Sequence, residues 1–385
     1  MSNLAKIIVP ALLLCGCGGG FESEKKEINL TKEEKAILFS QQLNRVDNLL
    51  DKIRDGKDMV VSETGISKIL DAIAKGAAKE SQAEIRNFIF DKQLPLYDDE
   101  TYKNFNLMFF RDQEVIYESY INSLDDFVME SSVKDMNDKI DKLTDGMIKN
   151  AMENISPNAE IVLSNIMTFN GKWQNSFDED LTEDRNFTAL CDGKPKIGKV
   201  ATMNGKLDAK VLQEGDIEAV LLPFVDGYNM IIAFNQNKNI SPKSASKWMY
   251  SNGGENIQKL IETKEKKVQI SLPKLDISLE YNLIPFMKQL GISSIFSGVK
   301  ADLSGISSLP LFVDLFEQKL KLKVHEKGAK AAAVTTAQIR VFAPMPTKPI
   351  IINIDHPFAF AILKDKDVKQ IILSGEINSL GLCGD

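Results

Sequence analysis

Apolar residues recur at intervals of three and four through the first third of the chain, then cluster into short runs. TKEEKAILFSQQLNRVDNLLDKI (31–53) opens with Thr31, places Glu34 three positions on, and gathers its apolar residues on one helical face. This pattern predicts a capped amphipathic helix. GISKILDAIAKGAAKESQAEIRNFI (65–89) predicts a further pair, broken around Lys75 and Gly76, and SLDDFVMESSVKDMNDKIDKLTDGMIKNAM (123–152) continues in the same style. From residue 160 the spacing changes. EIVLSNIMTF, KVLQ, EAVLLPF, MIIAF, VQISLP and IIINI predict strands, with a helix in YNLIPFMKQLG (281–291) and a closing strand pair in AFAILKD and KQIILSGEI. Helices first and strands later predict an α+β fold on large antiparallel or mixed sheets. No internal repeat, low-complexity tract or linker interrupts residues 31–385, which predicts one domain there.

Composition narrows the function classes. The chain has 385 residues, 43% hydrophobic and 26% charged, with a net charge of −7 and acids and bases interspersed. That is an ordinary globular balance without the basic footprint of a nucleic-acid binder. The start, MSNLAKIIVPALLLCGCGGG, has Lys6, then an apolar run, then small residues, which predicts a signal peptide over 1–16. LCGC (14–17) resembles a bacterial lipobox, despite Cys15 within it. On that reading Cys17 is the lipidated mature N-terminus, and residues 17–30 form a flexible tether to the cell envelope. Gly18, rather than Asp, points to the outer membrane. A plain secretory signal is the alternative. Beyond the anchor only Cys191 and Cys383 remain, too few for a disulfide framework or a zinc site. They are expected as free thiols, with a disulfide between them as the alternative. No metal or cofactor is expected.

Catalysis finds little support. Only His325 and His356 are available to a nucleophilic triad, and no G-x-S-x-G elbow, phosphate-binding glycine loop or H-E-x-x-H motif occurs. The protein is expected not to be an enzyme.

Five separate stretches resemble one family, the serpins. NIMTFNGKWQNSFDEDLTEDRNF (165–187) matches a strand signature through Asn165, Phe169, Gly171, Trp173, Phe177, Thr182 and Phe187. AVLLPF (219–224), SLPKLDISLEYNLIPFMKQLGISSIFSGVKADLSGIS (271–307), VHEKGAKAAAVTTA (324–337) and HPFAFAI (356–362) follow in the family's order and rough spacing. The resemblance implies helices packed around three β-sheets and an exposed reactive-centre loop at about 326–350. It also implies a mechanism of single use. A target protease attacks the loop, and the cleaved loop inserts into the central sheet before the acyl-enzyme hydrolyses. The implied partners are serine proteases, with cysteine proteases as a second class, and a membrane through the lipid anchor; nucleic acid is not one, and the protein is expected to be a monomer.

The hinge segment is consistent with insertion. A strand alternates sides, so Ala329, Ala331, Ala333, Thr335 and Ala337 share one face, all small, while Lys330, Ala332, Val334 and Thr336 share the other. The only charge lies on the outer set. The family places the scissile bond about sixteen residues after the hinge glutamate. Counting from Glu326 through Gly328 gives Phe342–Ala343, with Arg340 and Val341 as rival baits for trypsin-like and elastase-like enzymes. The shutter beneath the opening sheet is implied at Ser62, Asn165 and Gln318, and the breach above it at Trp173 and Thr182. Here the sequence departs from the family. Glu63 and Gly65 replace a proline and a serine, and Gln318 stands for a histidine near the end of the strand preceding the loop. An amide from Gln318 is expected to bond Asn165. A non-inhibitory serpin acting as a binding or carrier protein is the alternative, and such members carry bulkier hinges than AKAAAVTTA.

Overall fold

A computed structural model of the chain describes residues 30–89, 99–124, 127–153, 155, 161–327, 349–366 and 368–384. Helix α1 (Lys32–Ile53) starts where its cap predicts. The Thr31 hydroxyl accepts from Glu34 N at 3.1 Å, and Glu34 Oε2 accepts from Thr31 N at 2.8 Å. Strand β1 (Met59–Val61), α2 (Glu63–Gly76) and α3 (Lys79–Ile89) follow. The break between these two helices falls at Gly76, where an added Cβ would lie 2.2 Å from Ile306 Cγ1.

The stretch read as mostly helical holds strands that its pattern did not announce. After β2 (Tyr102–Phe110) and α4 (Glu118–Ile121), residues Phe127–Glu130 form β3, and only Val133–Leu143 form helix α5. FVME is a strand because it pairs in parallel with β2 over four positions; that partner lies outside the helical window and overrides local pattern. The remaining strands are β4 (Ile161–Asn170), β5 (Glu183–Cys191), β6 (Lys194–Glu214), β7 (Ile217–Pro223) and β8 (Tyr228–Asn235). Helices α6 (Lys243–Tyr250) and α7 (Glu255–Glu262) lead to β9 (Glu265–Pro273) and β10 (Leu275–Asn282). Helix α8 (Ile284–Gln289) is shorter than its predicted span, because Tyr281 and Asn282 still belong to β10. The chain ends with β11 (Phe316–Val324), β12 (Ile350–Asn353), β13 (Phe358–Lys364) and β14 (Gln370–Ile377).

Among the described residues two hydrogen-bonded sheets result, where the family resemblance implies three. The larger runs β1-β14-β13-β8-β7-β6-β9-β12, with β5 on β6; the smaller runs β10-β11-β4-β2-β3. The larger is continuous because β6 is long enough to pair β5 with its first part, β9 with its middle and β7 with its last.

One face of the larger sheet (Ala219, Leu221, Ile231, Ala361) packs with Leu43 and Leu50 of α1. The other (Leu222, Ile232, Phe358, Phe360) meets Met167 and Phe169 of β4 and Leu320 of β11. Helix α5 covers the far side of the smaller sheet through Met136 and Ile140 against Leu107, Val162 and Ile166.

The cysteines correct the free-thiol expectation. Cys191 and Cys383 are disulfide-bonded, with Cα atoms 5.3 Å apart and a sequence separation of 192. The C-terminal tail turns back from β14 onto the end of β5, which brings the two together. On a chain-entropy view, closing so long a loop disfavours the unfolded chain by about 5 kcal/mol.

Candidate functional site

The centre of the smaller sheet carries an unusual pairing. Strands β4 and β11 lie side by side in parallel, in register from Leu163/Phe316 to Asn170/Lys323. Their outer neighbours β2 and β10 run the opposite way. The chain leaves β11 at the end of the seam where β4 also finishes. A strand made from the residues that follow, laid between β4 and β11, would therefore run antiparallel to both. It would exchange one parallel ladder for two antiparallel ones, and parallel pairing is slightly the weaker per residue.

Side chains bolt the seam on both faces. On the face toward α2, Gln318 Nε2 donates to Asn165 Oδ1 at 2.8 Å and to Ser62 O at 3.0 Å, while Gln318 Oε1 accepts from Ser62 N at 2.9 Å. The expected amide bond is present. Gln318 sits third in β11, near its start rather than its end. Asn165 Nδ2 donates onward to Asn104 Oδ1 at 2.7 Å and Asn106 Oδ1 at 3.1 Å, so a ladder of amides crosses β11, β4 and β2. All these side chains are buried. The departures at 63 and 65 find physical reasons here. A Cβ at Gly65 would lie 2.1 Å from Asn165 Oδ1, so the amide occupies the space a serine would fill. Glu63 is buried and paired with Arg45 of α1 and with Ser67.

On the opposite face, Ser164 Oγ donates across the seam to Glu317 Oε1 at 3.4 Å. Burial pushes the Glu317 carboxyl up to about 7; the Lys319 ammonium, 4.0 Å away, opposes this and the Glu280 carboxylate reinforces it.

The residues that the resemblance implies for the breach meet at the top of the seam. Trp173 Nε1 donates to His325 O at 2.8 Å, Trp173 N to Lys327 O at 3.1 Å, and Phe177 N to Glu326 O at 3.0 Å. The indole is fixed by stacking on Phe224 at 4.0 Å between centroids. Thr182 Oγ1 donates to Glu326 Oε1 at 2.7 Å, and Lys274 Nζ lies 3.0 Å from Glu326 Oε2. Burial raises the Glu326 carboxyl, but the Thr182 hydroxyl, the residue's own N–H and the Lys274 ammonium outweigh it and hold the group below the usual range. Burial and the neighbouring Lys327 lower His325, whose Nε2 meets Asn170 Oδ1 at 3.2 Å. The other histidine, His356, bonds Asp355 and Asn235 O through its two ring nitrogens.

The structure thus gathers Ser62, Asn165 and Gln318 at one point of the seam, and Trp173, Thr182 and Glu326 at another. Glu326 lies eight positions after Gln318, just past the end of β11, about 27 Å of extended chain. Gly328, Ala329, Ala331, Ala332, Ala333, Thr335, Arg340, Val341, Phe342, Ala343 and Cys17 lie outside the described residues. Sequence reading missed Lys274, Glu317, Asn104 and Asn106. The two asparagines had a signal, being amides two apart in a run, YKNFNLMFF, whose other residues are aromatic or aliphatic apart from Lys103.

Comparison with known proteins agrees with this geometry. The family pattern of the serpins (serine protease inhibitors) matches residues 95–380. Heparin cofactor 2 of Rattus norvegicus is 29% identical over 249 residues, 63% of this chain and 48% of that protein. Alpha-1-antitrypsin 1-1 of Mus musculus is 30% identical over 261 residues, 67% of this chain and 60% of that protein. The chain spans about half the length of the curated relatives it matches. Among solved structures, native protease nexin-1 with heparin superposes with a TM-score of 0.75 at 20% identity, covering 90% of this chain and 100% of that one. Tengpin, a thermophilic serpin in its native state, gives 0.74 at 22% identity over 92% and 96%. With a family match over residues 95–380 and a fold that superposes on these structures, the chain belongs to the serpin family.

Proposed function

We propose that this serpin is a single-use inhibitor of endopeptidases that traps its target by inserting the cleaved loop between β4 and β11. The observation that carries the reading is the parallel β4–β11 seam, from whose open end the loop-bearing chain emerges. The small, uncharged inward parity of Ala329, Ala331, Ala333 and Thr335 fits a strand that must enter a packed sheet. A new central strand forms about ten backbone hydrogen bonds, roughly 10 kcal/mol before ordering costs. Loop insertion in this family is a standard case of strand addition releasing stored strain. The protein supplies bait, spring and scaffold, and the protease supplies the nucleophile.

The bait is Phe342, cleaved at Phe342–Ala343, with Arg340 and Val341 as the rival positions. A phenylalanine suits the apolar pocket of chymotrypsin-like proteases. The molecule works as a monomer, held at the bacterial outer membrane through lipid on Cys17 and the 17–30 tether. The Cys191–Cys383 disulfide supports an extracytoplasmic, oxidising location.

The test mixes the chain lacking residues 1–20 with chymotrypsin-, elastase- and trypsin-like proteases. A complex that survives boiling in detergent, with a released peptide starting at Ala343, is expected. A peptide starting at Val341 moves the bait to Arg340. Clean cleavage with no complex would refute inhibition and leave a binding or carrier protein.

A further inference from the structure

Among the described residues strand β5 pairs with β6 alone, and β6 does not reach β9 until Thr202. Residues 183–201 therefore form a two-stranded arm that overhangs the larger sheet, and such ribbons are marginal without outside support. The arm is supported along one strand. Thr188 N donates to Asp355 O at 2.8 Å, Leu190 N donates to Asn378 O at 2.9 Å, and Cys191, the last residue of β5, is bonded to Cys383. The tail that receives it is itself fixed. Asn378 N and Ser379 N donate to Asp58 Oδ1 at 2.6 and 2.7 Å, and Leu382 packs over Gly198, where a Cβ would come within 2.5 Å of it.

The arm lies beside the exit of β12. Asp184, Arg185 and Asn186 line one wall of a polar cleft, and Asn353, Ile354 and Asp355 line the other. Strand β12 (four residues) follows residues 328–348 and, among the described residues, is an edge strand paired only to β9, with Ile351 64% exposed. An uncleaved loop that enters the seam runs down it for about 27 Å while its far end stays at β12, so it must double back. Release of β12 removes that constraint.

We propose that the Cys191–Cys383 bridge is a clamp against insertion of the uncleaved loop. By pinning the arm and tail around the β12 exit, it keeps β12 on β9 and leaves the loop available to a protease. The clamp rests on the insertion reading above.

The experiment follows the trapping capacity of the mature chain during incubation at physiological temperature, for wild type and for Cys191→Ser/Cys383→Ser. The variant is expected to lose capacity at least about tenfold faster. Its spent fraction should be monomeric and uncleaved, with a raised melting temperature. Equal rates, or loss as an aggregate of lower stability, would overturn the clamp. If the double variant does not fold, the folded wild type is reduced with a phosphine. The two sulfurs then take up two electrons and two protons, and the phosphine leaves as its oxide with oxygen from water. The same acceleration is expected, and an unchanged half-life overturns the proposal. A bridged protein that traps no protease at the outset removes the insertion reading and the clamp with it. Normal trapping with an unchanged half-life removes the clamp alone.

Discussion

Strands β13 and β4 are both central and both buried along most of their length, yet they are built differently. FAFAILK in β13 is apolar on both faces up to its last residue and pairs antiparallel with β14 on one side and β8 on the other. IVLSNIMTFN in β4 carries Ser164, Asn165 and Thr168 among its buried residues, and has a parallel neighbour on one side. The first strand is held by burial that is lost only on unfolding. The second is held across its seam by one parallel ladder and by side-chain hydrogen bonds, the contacts that the proposed insertion would open. Scaffold and moving part are thus separated in chemistry as well as in space.

The largest effect should come from the scaffold. Phe360→Ala removes a fully buried ring from β13 and is expected to cost about 3–5 kcal/mol in denaturant unfolding. The number of inhibitor molecules consumed per trapped protease should not change, which separates stability from opening. At the seam, Gln318→Leu strands Asn165 Oδ1 and the Ser62 backbone groups, and is expected to cost about 2 kcal/mol. In contrast to the first variant, it should hasten insertion of the uncleaved loop, read as a slow loss of trapping capacity. If both variants changed capacity equally, the division between the two regions would fail.

Glu317 should give a smaller, pH-dependent effect. In the folded chain it keeps its proton to about 7, because burial disfavours the charge beside Lys319, Glu280 and Ser164; unfolded, it ionises near 4.5. Folding therefore favours the protonated form. That contribution is complete below the unfolded value and is lost as pH rises through about 7. Wild-type stability should decline across this window more steeply than that of Glu317→Gln, as a denaturant series at several pH values would record. The smallest effect is expected from Lys274→Met. Lys274 is partly exposed, so losing its ion pair with Glu326 should cost no more than about 1 kcal/mol while Thr182 still holds the hinge carboxylate.

The scaffold was easier to read from sequence than the seam. AFAIL and IIL announce the two closing strands by their short apolar runs, and Thr31 with Glu34 announces the first helix. Strand β3 was hidden because FVME gains its strand character from β2, over which it lies in register. The roles of Ser62, Asn165, Trp173, Thr182 and Glu326 were assigned through family resemblance, and the structure supplies the contacts between them. Gly65 became intelligible only with the Asn165 amide in place, since no local pattern says what fills the space beside a glycine. The Cys191–Cys383 bridge was misread because 192 residues of chain separate the partners, and only the path of the tail back to β5 brings them together.

The central claim is that the β4–β11 seam accepts the cleaved loop as a strand. Melting temperature before and after a single cut within residues 328–348 tests it most directly. Insertion is expected to raise it, and the gross figure of about 10 kcal/mol, before ordering costs, bounds the rise at somewhat over 10 °C in a domain of this size. A cut chain that melts at the same temperature as the intact one, with the loop peptide released or mobile, would contradict the account.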